Sequence, residues 1–136
     1  MAMARILDVE GIGSTYAKKL NDVGVLSTSR LLHIGASKRG REDLAEHTGI
    51  SEQLILEWVN LADLMRINGI AEEYSDLLEE AGVDTVKELR KRVPENLYTT
   101  MVKVNQEKEL VRRLPSQKQV KSWVKQAMKL PPIVTY

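Results

Sequence analysis

Cysteine and phenylalanine are both missing from the 136 residues of this chain, and histidine occurs only twice, at His33 and His47. The absence of Cys removes disulfides, thiolate zinc sites and thiol nucleophiles, and two histidines leave little material for imidazole catalysis or metal binding. Aromatic residues make up only 4% of the chain, which argues against single-strand binding by exposed stacking rings. No apolar run approaches the roughly 18 residues of a membrane span, and no basic segment followed by an apolar stretch opens the chain. Neither a span nor a signal peptide is therefore expected, and the default location is the cytoplasm. A strong charge of one sign is lacking too: the net charge of +1 counts against a protein that lives on nucleic acid. No segment alternates apolar and polar residues over strand length, so the chain reads as all-α. No nucleophile, base and orienting group can be assembled from its residues, so it reads as a non-enzymatic protein without a cofactor or metal.

What the chain does have is glycine in a particular place. In Val9-Glu10-Gly11-Ile12-Gly13-Ser14-Thr15-Tyr16-Ala17-Lys18-Lys19-Leu20, two glycines flank one aliphatic residue and open directly into a helical pattern. Glycine tolerates positive φ and, having no Cβ, lets another group approach the backbone closely. The pattern resembles the helix-hairpin-helix motif. Such a turn leaves the first N–H groups of its second helix unpaired, at the positive end of the helix dipole, where a phosphate is favoured. Gly11, Ile12, Gly13, Ser14, Thr15 and Lys18 are the candidate phosphate-binding residues. A compact helix connector, with the glycines needed only for steric reasons, fits the same residues.

A shift of 58 residues superposes Gly11-Ile12-Gly13 on Gly69-Ile70-Ala71, Tyr16 on Tyr74, Leu20 on Leu78, Gly24-Val25 on Gly82-Val83, and Leu31 on Leu89. A shift of 65 then superposes Ser51 on Ser116, Trp58-Val59 on Trp123-Val124, and Ala62 on Ala127. The chain is thus internally duplicated, with repeat one over about 4–67 and repeat two over about 62–132 of a single domain, 1–136. Two copies are too few for a solenoid, so both are expected to share one core around a pseudo-twofold axis. The second bend departs from the first where Gly13 becomes Ala71, Ala17 becomes Ser75, and Glu72-Glu73 opens the helix. Carboxylates there satisfy the helix dipole and repel phosphate, which assigns this copy a scaffolding role.

Local signals place the helices. Short ones are expected near Ala4–Val9, at Ser14–Val23 before Gly24, near Thr28–Ile34, and at Glu42–Thr48 before Gly49, with Ser37–Arg41 as a basic turn. Ser51 caps a longer helix whose Leu54, Ile55, Trp58, Leu61, Ala62 and Met65 form an apolar stripe running into the second bend. Glu72–Ala81 leaves that bend. Thr85-Val86-Lys87-Glu88 and Ser116-Gln117-Lys118-Gln119 read as capping boxes, the first opening Val86–Arg92. Pro94 suits a first helical turn, and Pro131-Pro132 ends the last helix. Trp58 and Trp123, at equivalent positions on inward stripes, read as core anchors, and Tyr16 and Tyr74 follow them.

Charge is unevenly spread. Residues 1–97 hold 12 Lys/Arg against 17 Asp/Glu, net −5, while residues 98–136 hold 8 against 2, net +6. Lys118, Lys121, Lys125 and Lys129 recur at helical spacing opposite the apolar stripe of the last helix, and Lys38, Arg39 and Arg41 cluster in the basic turn. Together these form a secondary basic patch able to follow a phosphate backbone, although ordinary solvated helix faces look the same.

Beyond the motif, the chain is similar to a bacterial family of small tandem helix-hairpin-helix proteins of uncharacterised function. The similarity rests on Glu57-Trp58-Val59-Asn60, Ala62-Asp63-Leu64-Met65-Arg66-Ile67 leading into Gly69, Pro94-Glu95-Asn96-Leu97, Arg112-Arg113-Leu114-Pro115-Ser116, Trp123-Val124 and Val134-Thr135-Tyr136. It implies an all-helical fold and non-sequence-specific DNA binding. The functional expectation is double-stranded DNA held at moderate to low affinity through phosphates. The alternative is a protein-interaction adaptor that does not touch nucleic acid, which the acidic first two-thirds of the chain favour.

Overall fold

Gly11 and Gly69 each turn the chain through positive φ, +89° and +96°, and three residues later a helix begins. The computed structural model describes residues 5–9 and 11–136. Ala4, at the expected start of the entering helix, and Glu10, within the first bend, lie outside them. Among the described residues the chain is all-α, with eight helices and no strand: α1 Ser14–Asp22, α2 Thr28–Gly35, α3 Lys38–Thr48, α4 Glu52–Leu64, α5 Glu72–Glu80, α6 Val86–Leu89, α7 Pro94–Lys108 and α8 Gln117–Lys129. The entering helix is a single 3₁₀ turn, Ile6–Asp8, tied to the chain beyond α1 by the Ile6 N–H on the Leu26 carbonyl at 3.2 Å.

The described residues up to Asp63, together with Ile133–Tyr136, form one compact unit, and Leu64–Pro132 form a second. Within each, the same local chemistry recurs. The Ile12 N–H donates to the Val9 carbonyl and the Ile70 N–H to Ile67. Helices α1 and α5 end alike: Gly24 and Gly82 adopt positive φ while Val25 and Val83 bond back to Leu20 and Leu78 at 2.9 and 2.8 Å, the paired bonds of a Schellman cap. Ser27 and Thr85 cap α2 and α6, and Ser51 and Ser116 cap α4 and α8.

In the first unit Ile12, Leu20, Leu31, Ile55 and Trp58 are buried; in the second Ile70, Leu78, Leu89, Val120 and Trp123 occupy the corresponding places. The apolar stripe of α4 is buried except Leu54, which is half-buried, and Met65, which is half-buried and follows the end of the helix at Leu64. Pro94 takes the first turn of α7, and the capping box at Ser116 is complete. At Thr85 the hydroxyl accepts from the Glu88 N–H, and the Glu88 carboxylate takes the Arg92 guanidinium at 3.2 Å. That pairing accompanies a helix of one turn, Val86–Leu89, where spacing predicts one reaching Arg92.

The largest departure is at α3, which begins at Lys38 rather than Glu42, so the expected basic turn is helical. The Ser37 hydroxyl accepts the Gly40 N–H at 3.0 Å, and Gly40 then passes so close to α2 that a Cβ would stand 1.9 Å from the Ile34 carbonyl oxygen. Gly35 faces Val59 with equally little room, 2.4 Å from a methyl carbon. Small residues here set the α2–α3 packing. In the second unit α7 runs to 15 residues and ends at Glu109, the single described non-glycine residue with positive φ, at +48°. Asn105 clamps the following loop by exchanging two hydrogen bonds with the Val111 backbone, at 3.0 and 3.2 Å.

Gly40→Ala is expected to destabilise the protein by about 2–3 kcal/mol, because backbone must shift to admit the methyl group. Glu109→Gly is expected to stabilise it by about 1 kcal/mol by relieving the left-handed conformation. Chemical denaturation followed by circular dichroism reads both.

Candidate nucleic-acid interface

The first bend is assembled on a tryptophan. The ring of Trp58, only 1% exposed, backs onto Gly11 so that a Cβ there would meet the indole Nε1 at 3.3 Å, and Tyr16 tilts against the same ring at a centroid distance of 5.2 Å. Gly11 therefore needs its missing side chain twice over, for φ and for the indole. Gly13 needs it for neither. Its φ is −82° and ψ 179°, conformations open to any residue, and a Cβ would meet nothing within 4 Å. The stated steric reason for glycine thus holds at Gly11 and not at Gly13.

Gly13 is the N-cap of α1, with no side chain capping it, and its carbonyl accepts from Ala17 at 2.9 Å. Gly11, Gly13, Ser14 and Thr15 are exposed, while Ile12 is buried and anchors the bend. Ser14, Thr15, Lys18, Lys19 and Asp22 line a shallow open depression along α1. The Lys18 ammonium pairs with the Asp22 carboxylate at 3.2 Å, with both side chains mostly exposed at 77% and 62%. An exposed i,i+4 pair of this kind is worth about 0.5 kcal/mol, too little to withhold the lysine from a stronger anion.

The second bend has the same frame with different chemistry. A Cβ on Gly69 would meet Trp123 Nε1 at 3.0 Å, and Tyr74 tilts on Trp123 at 5.3 Å. Ala71 is the uncapped N-cap of α5, Ser75 is fully buried, and Glu73 stands exposed in the first turn. Gln126 adds a plug: its amide accepts from the Asn68 N–H at 3.0 Å and donates to the Asn68 carbonyl at 3.2 Å. The corresponding residue of the first unit is Leu61, a buried hydrocarbon with no such reach.

The basic residues divide. Lys118, Lys121, Lys125 and Lys129 are all exposed on α8, opposite buried Val120, Trp123, Val124 and Ala127. Lys38 and Arg39 are exposed in the first turn of α3. Arg41 is 5% exposed, and its guanidinium donates to the carbonyls of Gly35, Ala36 and Thr135 at 2.9, 3.1 and 2.7 Å. In this structure Arg41 is a tie between backbone segments and does not stand with the surface cations. Sequence spacing does not reveal that role. The cue was its place one turn after Ser37 in a Gly-flanked segment, where a helix start turns it inward.

Among the described residues no group of three or more His, Asp or Glu could hold a metal, and no helix is long and apolar enough to cross a membrane. Residues 10–130 match the model of a family described as a domain of unknown function, DUF4332, and the chain belongs to that family. No curated protein and no solved structure matches the chain.

Removing the freedom of each glycine separates their roles. Gly11→Ala is expected to cost about 2 kcal/mol or more through positive φ and contact with Trp58. Gly13→Ala is expected to change stability by less than about 1 kcal/mol, since Ala71 already serves as the equivalent cap. Thermal denaturation of the two variants tests the difference.

Proposed function

We propose that this protein is a tandem helix-hairpin-helix protein that binds duplex DNA through phosphates, without sequence preference and without catalysis, and that the first bend is its contact. The observation that carries the reading is Gly13: a glycine for which neither φ nor packing has a use, at an exposed, uncapped helix start. A ligand that must approach the backbone closely gives that glycine a use. Ser14 and Thr15 supply hydroxyls, the amides at the start of α1 supply aligned donors, and Lys18 supplies a cation one turn along. Lys38 and Arg39 add charge on the same unit, and the lysine face of α8 is, by itself, a row of cations on the second unit. The second bend keeps the frame and serves the fold, with Gln126 bonded to its backbone and Glu73 beside its helix start.

A protein-interaction adaptor is the second reading. It is favoured by Leu7 and Leu26, 50% and 63% exposed on chain segments joined by the Ile6–Leu26 hydrogen bond. Fluorescence anisotropy with a random-sequence duplex separates the two. Binding is expected near 50 mM salt, with log K falling against log salt at a slope of roughly −3 to −4 for three to five neutralised phosphates. Gly13→Ala and Lys18→Gln should each weaken it severalfold while leaving the melting temperature nearly unchanged. No binding at low salt, or affinity indifferent to salt, would exclude the DNA reading and leave the adaptor.

A further inference from the structure

Residues 133–136 return to the first unit as an extended segment. Val134 is buried, the Thr135 N–H donates to the Ala36 carbonyl at 2.8 Å, and the Tyr136 hydroxyl reaches Asn60 Oδ1 at 3.3 Å. The segment also covers a cation. Arg41 donates its shortest hydrogen bond to the Thr135 carbonyl and lies 5.9 Å from the centre of the Tyr136 ring. The other acceptors of its guanidinium are two more carbonyls, so among the described residues this buried positive charge is met by dipoles and by no carboxylate. Lys38, three residues earlier on α3, shares its face. Both line one depression with Glu52, Gln53, Leu56 and Tyr136.

We propose that residues 133–136 form a strap masking an oxyanion site made by Lys38 and Arg41, and that a phosphate group displaces the Thr135 carbonyl to occupy it. The proposal rests on the phosphate-binding reading above and extends it to a second, gated contact on the same unit. A phosphate brings a full negative charge and can take a guanidinium with two parallel hydrogen bonds, neither of which a single neutral carbonyl offers. Lys38 supplies a second cation for the incoming charge, and Glu52, the one acid lining the depression, limits the affinity. The strap buries little of itself: Ile133 and Tyr136 are 36% and 65% exposed, and of its four residues only Val134 is buried. Opening therefore sacrifices little burial, and by linkage an anion that favours the open strap is favoured by anything that opens it.

The test compares the full chain with its V134G/T135P variant, which removes the buried side chain and the N–H bonded to Ala36. Arginine modification by phenylglyoxal, followed by peptide mass spectrometry, reads the exposure of Arg41 directly. The strap variant is expected to react at Arg41 about tenfold faster, as for a strap closed at least nine-tenths of the time, and inorganic phosphate should protect it. The salt slope for duplex binding should steepen by about 0.9, and Arg41→Gln in the variant should reverse that change. If V134G/T135P loses helical circular dichroism, the chain ended after Pro132 replaces it. An unchanged reaction rate overturns the strap; faster reaction with neither phosphate protection nor a steeper slope overturns the oxyanion site. Phosphate protection without any duplex binding by the full chain would overturn the DNA reading and keep this site for free phosphate.

Discussion

An indole pressed against a glycine holds each unit together. Trp58 and Trp123 are almost wholly buried, and each has its ring nitrogen 3.3 or 3.0 Å from where a Cβ on Gly11 or Gly69 would fall. That contact fixes three things at once. It leaves little room for a side chain at the glycine, it brings the bend down onto the long helix that carries the tryptophan, and it sets the direction in which the next helix leaves. The tyrosine one turn into that helix then packs on the same ring, at 5.2 and 5.3 Å in the two units. Aromatic pairs at this separation add about 0.5–1.5 kcal/mol beyond the area they bury. A chain with only six aromatic residues has committed four of them to these two pairs, which is why so few are left to act as surface platforms.

Because the frame needs only the first glycine, the second is free to vary, and the two bends have used that freedom differently. Position 71 carries alanine, position 13 glycine, and both are uncapped helix starts of ordinary backbone geometry. In the second bend Gln126 exchanges two hydrogen bonds with the Asn68 backbone, and Glu73 in the first turn of α5 suits the helix dipole. At the equivalent of Gln126 the first bend has Leu61, which can satisfy nothing. The two bends thus share the glycine–indole frame and differ in the residues around the start of the following helix.

Much of the fold was legible because its punctuation is local. Gly24, Gly49 and Gly82 mark helix ends, Ser51, Thr85 and Ser116 mark starts, and each depends on residues within four positions of itself. The register shifts of 58 and 65 also carried through to matching hydrogen bonds. What sequence did not give depends on contacts distant along the chain. Gly40 reads as part of a flexible basic turn until α2 lies against it, and the start of α3 moves four residues because Ser37, not Arg41, is the cap. Arg41 reads as one more surface cation until Thr135, 94 positions away, supplies its acceptor. Glu109 gives no sign of positive φ in composition, since glycine or asparagine is the usual residue there. Ser14, Thr15 and Lys18 lie on α1, as helical spacing predicts, whereas the partnership of Lys18 with Asp22 is visible only as an i,i+4 pairing until side chains are set.

Total charge is a poor guide to what such a chain can bind. The screening length at physiological salt is about 8 Å, so a phosphate responds to the charges of one bend or one helix face and hardly at all to the acids elsewhere. On α8 four lysines stand on one face with no acid in the helix, and at the start of α1 two hydroxyls and a weakly paired lysine surround uncapped amides. The net charge of +1 averages these over acids such as Glu73 and Glu80 on α5. Local arrangement therefore outweighs the sum. Phosphate binding through a few such contacts is modest and strongly salt-dependent.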